Sequence, residues 1–300
     1  MKTRGELNTE KRNPLSKMID SMSVTDILKT INKEDAKVSK AVEIAIPEIE
    51  STIQFTVDSI KNGGRVFYIG AGTSGRLGVL DASEIPPTYS LSENYFIGII
   101  AGGDDALRQS IEGAEDQTEE AIEDLQYFNI NKSDTVIGIS CSGAANYVIS
   151  ALDYARNNNA KTVYLVTNPN PFKITKVDII IHANTGPEVI TGSTRMKAGT
   201  ATKLILNMIS TTTMIKLGKV YGNLMVDLKT VNDKLIDRGT RIILELTNLK
   251  YNEAKTKLLS AEKSVKVALV MELLNCSLSE AKEKLKNVDG CLHRLIDLDK

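Results

Sequence analysis

Five short apolar runs recur through the first part of this chain, and each leads into a loop of small or polar residues. They are Arg65–Ile69, Tyr95–Ala101, Thr135–Ile139, Thr162–Val166 and Val177–Ile181. Helical patterns lie between several of them, notably Ala114–Leu125 and Ala144–Ala155. Buried strands that alternate with helices need right-handed crossovers and both faces covered, so the expected fold is α/β, a doubly wound, mostly parallel sheet flanked by helices. Ligands of such sheets sit beyond the carboxyl ends of the strands, which directs attention to the loops there.

The flanking segments read differently. Residues 1–32 form a polar arm with short helical pieces. From Asn32 to Lys61 the apolar spacing suits one long helix interrupted or bent near Pro47 and stopped by Gly63-Gly64. Past Gly192 the pattern is helical: Arg195–Leu217, Val231–Leu246 and three shorter segments after Tyr251, one opened by the capping box Ser277-Leu278-Ser279-Glu280. The expected division is an N-terminal arm and helix (1–54), a sheet domain (55–220), and a helical C-terminal region (221–300) whose last 50 or so residues make a small bundle.

Composition removes several function classes. Thirty-seven Lys+Arg against 38 Asp+Glu, without a basic block and without Trp, argue against nucleic acid as the partner. No apolar run approaches the roughly 20 residues needed to span a bilayer. The N-terminal residues lack the apolar core of a signal peptide, so a cytoplasmic location is expected. Three scattered cysteines and two histidines, His182 and His293, suit neither a disulfide framework, nor a metal centre, nor a Ser-His-Asp triad. No metal and no cofactor are expected.

The loop after the first strand, Gly70-Ala71-Gly72-Thr73-Ser74-Gly75-Arg76, fits G-x-G-x-x-G and opens a helix. A dinucleotide site would also need an acidic residue at the end of the second strand. That strand runs instead into Gly102-Gly103, and Asp104 and Asp105 come too late. Thr73 and Ser74 offer hydroxyls to a phosphate monoester beside the helix N-terminal amides. A second loop, Ser140-Cys141-Ser142-Gly143, has the same build. Two hydroxyl-rich loops without a P-loop lysine suit a single monophosphate on a small molecule. A third stretch, Gly186–Lys203, is a Gly/Pro-constrained loop that brings Ser193, Thr194, Arg195 and Lys197 to the start of a long helix.

The paired Ser/Thr loops resemble the sugar isomerase (SIS) domain. Gly186–Lys203 closely resembles a stretch shared by the N-acetylmuramic acid 6-phosphate etherases and the glucokinase regulatory proteins. Thr9-Glu10-Lys11-Arg12-Asn13-Pro14, Asp81-Ala82-Ser83-Glu84 and Ile111-Glu112-Gly113-Ala114-Glu115-Asp116 resemble further etherase motifs. The second loop departs from the family, with Ala144-Ala145-Asn146 before Tyr147 where the family more often has Arg-Thr-Pro.

The resemblance implies cleavage of the lactyl ether of a 6-phosphosugar, with Glu84 as proton donor and Glu115 as the second carboxylate. Thr73, Ser74, Ser140, Ser142, Ser193, Thr194, Arg195 and Lys197 are the implied substrate-binding residues, and a homodimer with sites near the subunit interface is implied too. The regulatory proteins carry two SIS domains, and this chain has strands and loops for one. A non-catalytic regulator, a phosphosugar isomerase and, more distantly, an NAD-dependent enzyme remain the alternatives. Glu84 lies ten residues after Ser74, roughly 15 Å along a continuous helix. Either the chain turns back before Pro86 or Glu84 serves the site of a partner subunit.

Overall fold

The computed structural model describes residues 4–91, 94–228 and 232–296. Three helices, α1 (Val24–Asp35), α2 (Val38–Ile44) and α3 (Ile46–Lys61), precede the sheet. The long helix expected from Asn32 is interrupted at Ala45, beside Pro47 as expected, and is broken also at Ala36-Lys37. Pro47 falls in the first turn of α3, where its missing amide costs no helical bond.

Strand β1 (Val66–Gly70) leads into α4 (Gly72–Tyr89), then β2 (Phe96–Ile100), the one-turn α5 (Asp105–Arg108) and α6 (Thr118–Tyr127). There follow β3 (Thr135–Ile139), α7 (Asn146–Asn157), β4 (Lys161–Val166), β5 (Ile179–His182) and α8 (Lys197–Lys216). The five strands are parallel in the order β2-β1-β3-β4-β5, as a doubly wound sheet requires. The order reverses between β1 and β3, so the loops leaving those neighbours diverge and open a crevice.

Side-chain alternation builds a core on both faces of the sheet. Phe67, Ile69, Val136, Tyr164 and Val166 pack with Leu125 of α6 and Tyr147, Val148, Ala151 and Leu152 of α7. Their strand neighbours Tyr68, Ile137, Ile139, Val163 and Leu165 are equally buried and point the other way. Arg65 grips the buried Asp134 through two guanidinium bonds of 3.1 and 2.8 Å, tying the entries of β1 and β3.

The contacts group the chain into two compact units, Met1–Ser83 with Asn94–Ser210 and Glu84–Glu93 with Thr211–Lys300. The N-terminal arm and α1–α3 therefore belong with the sheet, and α4 and α8 each contribute to both units. The second unit continues with α9 (Asp233–Leu246), α10 (Tyr251–Ser260), α11 (Val265–Leu273) and α12 (Leu278–Asn287). Its core includes Ile243, Leu258, Leu269 and Ala281. The capping box at Ser277 and Glu280 forms as read. Of the helix expected over Val231–Leu246, Val231 lies outside the described residues. Lys266 is buried in this unit with its ammonium 2.6 Å from Asp227, and burial pushes its pKa down.

Gly75 sets how α4 meets the sheet. A Cβ there would stand 2.5 Å from the Gly70 carbonyl oxygen and 2.6 Å from Ile100 Cγ1. Both neighbours are held in strands, so neither gives way cheaply. Gly75→Ala should cost about 2 kcal/mol or more, as overpacking does, visible as a lower urea midpoint at unchanged slope. An unchanged midpoint would mean that α4 can lift from β1 freely.

Candidate functional site

The crevice at the β1/β3 reversal holds a cavity of about 290 Å³. Thr73 and Ser74 reach it from the loop after β1, Ser140 and Ser142 from the loop after β3, and Thr194 from the segment before α8. Glu115 and Glu112 line it from the segment that follows β2.

Local chemistry explains these placements. The first amides of α4, at Gly72 to Ser74, have no carbonyl one turn back within the helix and stay available to an anion. Gly143 has φ of +71°, and its missing Cβ leaves room for Pro171, which would lie 2.6 Å away. That turn closes through Gly143 N–H donating to the Ser140 carbonyl at 2.9 Å. Between the two serines, the Cys141 thiol is buried, 3.5 Å from Ser74 Oγ and 3.9 Å from Thr202 Oγ1. Burial pushes its pKa up, so the group stays a neutral thiol beneath the cradle.

The structure thus gathers Thr73, Ser74, Ser140, Ser142, Thr194 and Glu115 around one space. It does not bring Ser193, Arg195, Lys197 or Glu84 to the walls of that cavity. Arg195 is exposed just before α8. Glu84 is exposed on α4, which continues unbroken through Pro86 and Pro87 to Tyr89. The chain does not turn back before Pro86.

Lys197 has another employment. Its side chain is 1% exposed and its ammonium sits 2.6 Å from Glu34 Oε2 on α1. Its own amide and that of Ala198 donate to the two oxygens of Glu188, at 3.0 and 2.9 Å. The N-terminus of α8 is therefore capped by the chain's own carboxylate. Burial raises the Glu34 pKa, but hydrogen bonds from Lys197 and Lys37 outweigh it and hold the group at about 2. For Glu188, burial outweighs the amide bonds and the pKa is raised.

The N-terminal motif packs on this same stretch. Asn13 Nδ2 donates to the Pro187 carbonyl at 3.0 Å, Ser16 Oγ to Val189 at 2.7 Å, and Gly192 N–H to Thr9 at 3.0 Å. Glu34, Glu188 and Arg76 escaped the sequence reading. Arg76 carried a signal as the residue next to the third glycine of the first loop, and Glu188 as a member of the Gly186–Lys203 stretch.

Comparison with known proteins covers nearly the whole chain. Models of the glucokinase regulatory protein N-terminal SIS domain and of the SIS domain match residues 48–156 and 114–211. The chain is 47% identical over 294 residues to N-acetylmuramic acid 6-phosphate etherase 1 of Bacillus licheniformis, covering 98% of this chain and 97% of that one. Identity is 53% over 251 residues to the N-acetylmuramic acid 6-phosphate etherase of Bacteroides thetaiotaomicron, 84% and 90% of the two chains. It is 49% over 293 residues to that of Caldanaerobacter subterraneus, 98% and 96% of the two chains.

The buried pair has a measurable consequence. Glu34→Gln strands the Lys197 ammonium and should cost about 3 kcal/mol or more at pH 7. Because its folded pKa is depressed from 4.5 to about 2, the contribution of Glu34 is whole above 4.5 and fades as pH falls toward 2. The variant should therefore show a shallower loss of stability across that window. Replacing both partners, Glu34→Leu with Lys197→Met, should recover most of the loss. Unchanged stability of Glu34→Gln at pH 7 would contradict the assignment.

Proposed function

The chain belongs to the N-acetylmuramic acid 6-phosphate etherase family, and we propose that it cleaves the D-lactyl ether of N-acetylmuramic acid 6-phosphate, yielding N-acetylglucosamine 6-phosphate and D-lactate. The observation that carries this reading is the single cavity in which two hydroxyl loops and a helix N-terminus face the carboxylate of Glu115. On this reading the 6-phosphate lies against Thr73, Ser74, Ser140 and Ser142, with the helix dipole of α4 favouring its charge.

An alkoxide is a poor leaving group from an unactivated ether, and elimination lowers the barrier. In the ring-opened sugar the C2 proton is acidified by the neighbouring aldehyde. Glu115 as carboxylate takes that proton, the C2 electron pair forms the C2–C3 double bond, and the C3–O bond to lactate breaks. Glu84 as carboxylic acid protonates the departing oxygen. Water then adds across the double bond, hydroxyl to C3 and proton to C2, restoring the saturated sugar.

Both glutamates are exposed in the single chain. Glu84 is about 15 Å of helix away from Ser74, beyond the span of a hexose between its phosphate and C3. A homodimer in which α4 of one copy covers the cavity of the other meets both demands, because it delivers Glu84 and removes water at once. On this reading the exposed Arg195, outside the cavity walls of its own chain, contributes to the same shared site.

The test is D-lactate release from N-acetylmuramic acid 6-phosphate by the purified, chelator-treated protein. Glu84→Ala and Glu115→Ala should each lower kcat by about 100- to 10,000-fold, the range of a general acid or base. Tight phosphosugar binding without lactate release by the unaltered chain would make it a non-catalytic sensor instead.

A further inference from the structure

Arg76 follows the third glycine of the first loop and is half-buried in the wall of the same cavity. Its guanidinium is turned toward the chain that follows β2. Nε donates to the Leu107 carbonyl at 3.3 Å and Nη2 to the Gln109 carbonyl at 2.9 Å. These carbonyls lie at the end of α5, a helix of one turn whose last carbonyls have no partner within it. A cation there satisfies them and suits the negative helix end.

The chain beyond α5 forms the cavity wall from Ser110 to Glu115. It turns at Gly113, with φ of +76°, and inserts Ala114 into the core. One residue past Glu115, Asp116 accepts a bond of 2.8 Å from Asn146 Nδ2 at the start of α7. The Glu115 segment is thus tied at its near end to the helix of the first hydroxyl loop and at its far end to the helix of the second.

We propose that Arg76 is a positioning residue for Glu115: it fixes the segment carrying that carboxylate to the helix whose first turn grips the phosphate, so that anion and base keep one separation. The proposal rests on the reading of Glu115 as a catalytic carboxylate. Two carbonyls two residues apart demand a planar fork of donors, which arginine has and lysine lacks.

Arg76→Ala and Arg76→Lys are compared with the unaltered protein by lactate-release kinetics, by affinity for N-acetylglucosamine 6-phosphate, and by amide hydrogen exchange. In both variants kcat should fall about 100-fold, as misplacement of a reacting group does, while phosphosugar affinity changes by less than about threefold. Exchange across 105–116 should quicken, and added guanidinium ion should restore activity to the alanine variant. In a Glu115→Ala background, Arg76→Ala should cost nothing further, because the two act as a unit. Lost phosphosugar affinity with kcat kept would make Arg76 a phosphate ligand and overturn the proposal. So would unchanged exchange in 105–116. If the unaltered protein released no lactate, the etherase reading would fail on its own, and exchange would still decide whether Arg76 holds the segment.

Discussion

Helix α4 rests on strand β1 with nothing between their backbones at Gly75, and the geometry of the cavity follows from that contact. The Gly70 carbonyl and Ile100 lie where any Cβ would go, so the helix starts immediately at the carboxyl end of the strand. Its first turn presents Thr73 and Ser74 to the crevice between β1 and β3. One residue on, Arg76 reaches the segment after β2. The same close start fixes the direction of α4, and the helix runs on unbroken to Tyr89, with Glu84 ten residues beyond Ser74.

The stretch from Gly186 to Lys203 shows how a motif rich in chemically able groups can serve architecture. Glu188 caps α8 with its carboxylate, and Lys197 is drawn beneath the helix start to Glu34. A buried pair of this kind adds little net stability against an apolar replacement, yet breaking it from one side is costly. It fixes α1 and the N-terminal arm against the segment that leads from β5 to α8. Thr194 alone of the expected contacts in that stretch lines the cavity.

The sheet was legible because each strand is a compact run of β-branched or aromatic residues closed by a breaker. Observed strand limits therefore depart little from the apolar runs. The first two loops were legible for a related reason: glycine at a strand end beside hydroxyl residues has few uses. The helices before β1 were less so: Pro47 marks the break at Ala45, but Ala36-Lys37 carry no breaker. Lys197 misled because its residue type speaks for an anion without saying which. Its partner is a carboxylate 163 residues earlier, and no local pattern links the two. Glu84 lay in between: spacing along a helix put it out of reach of Ser74, and only the unbroken course of α4 removed a turn back as the answer.

On the proposed reading, Ser74 in the first turn of α4 and Glu84 ten residues further along it belong to two sites shared between copies. The direct measurement is activity after Glu84→Ala and Glu115→Ala chains, each inactive alone, are unfolded together and refolded as a mixture. Random pairing makes half the dimers mixed, each with one site of two intact, so about a quarter of the unaltered activity should return. No recovery, with mixed dimers demonstrated by differential tagging, would contradict the shared site and place both carboxylates in one chain.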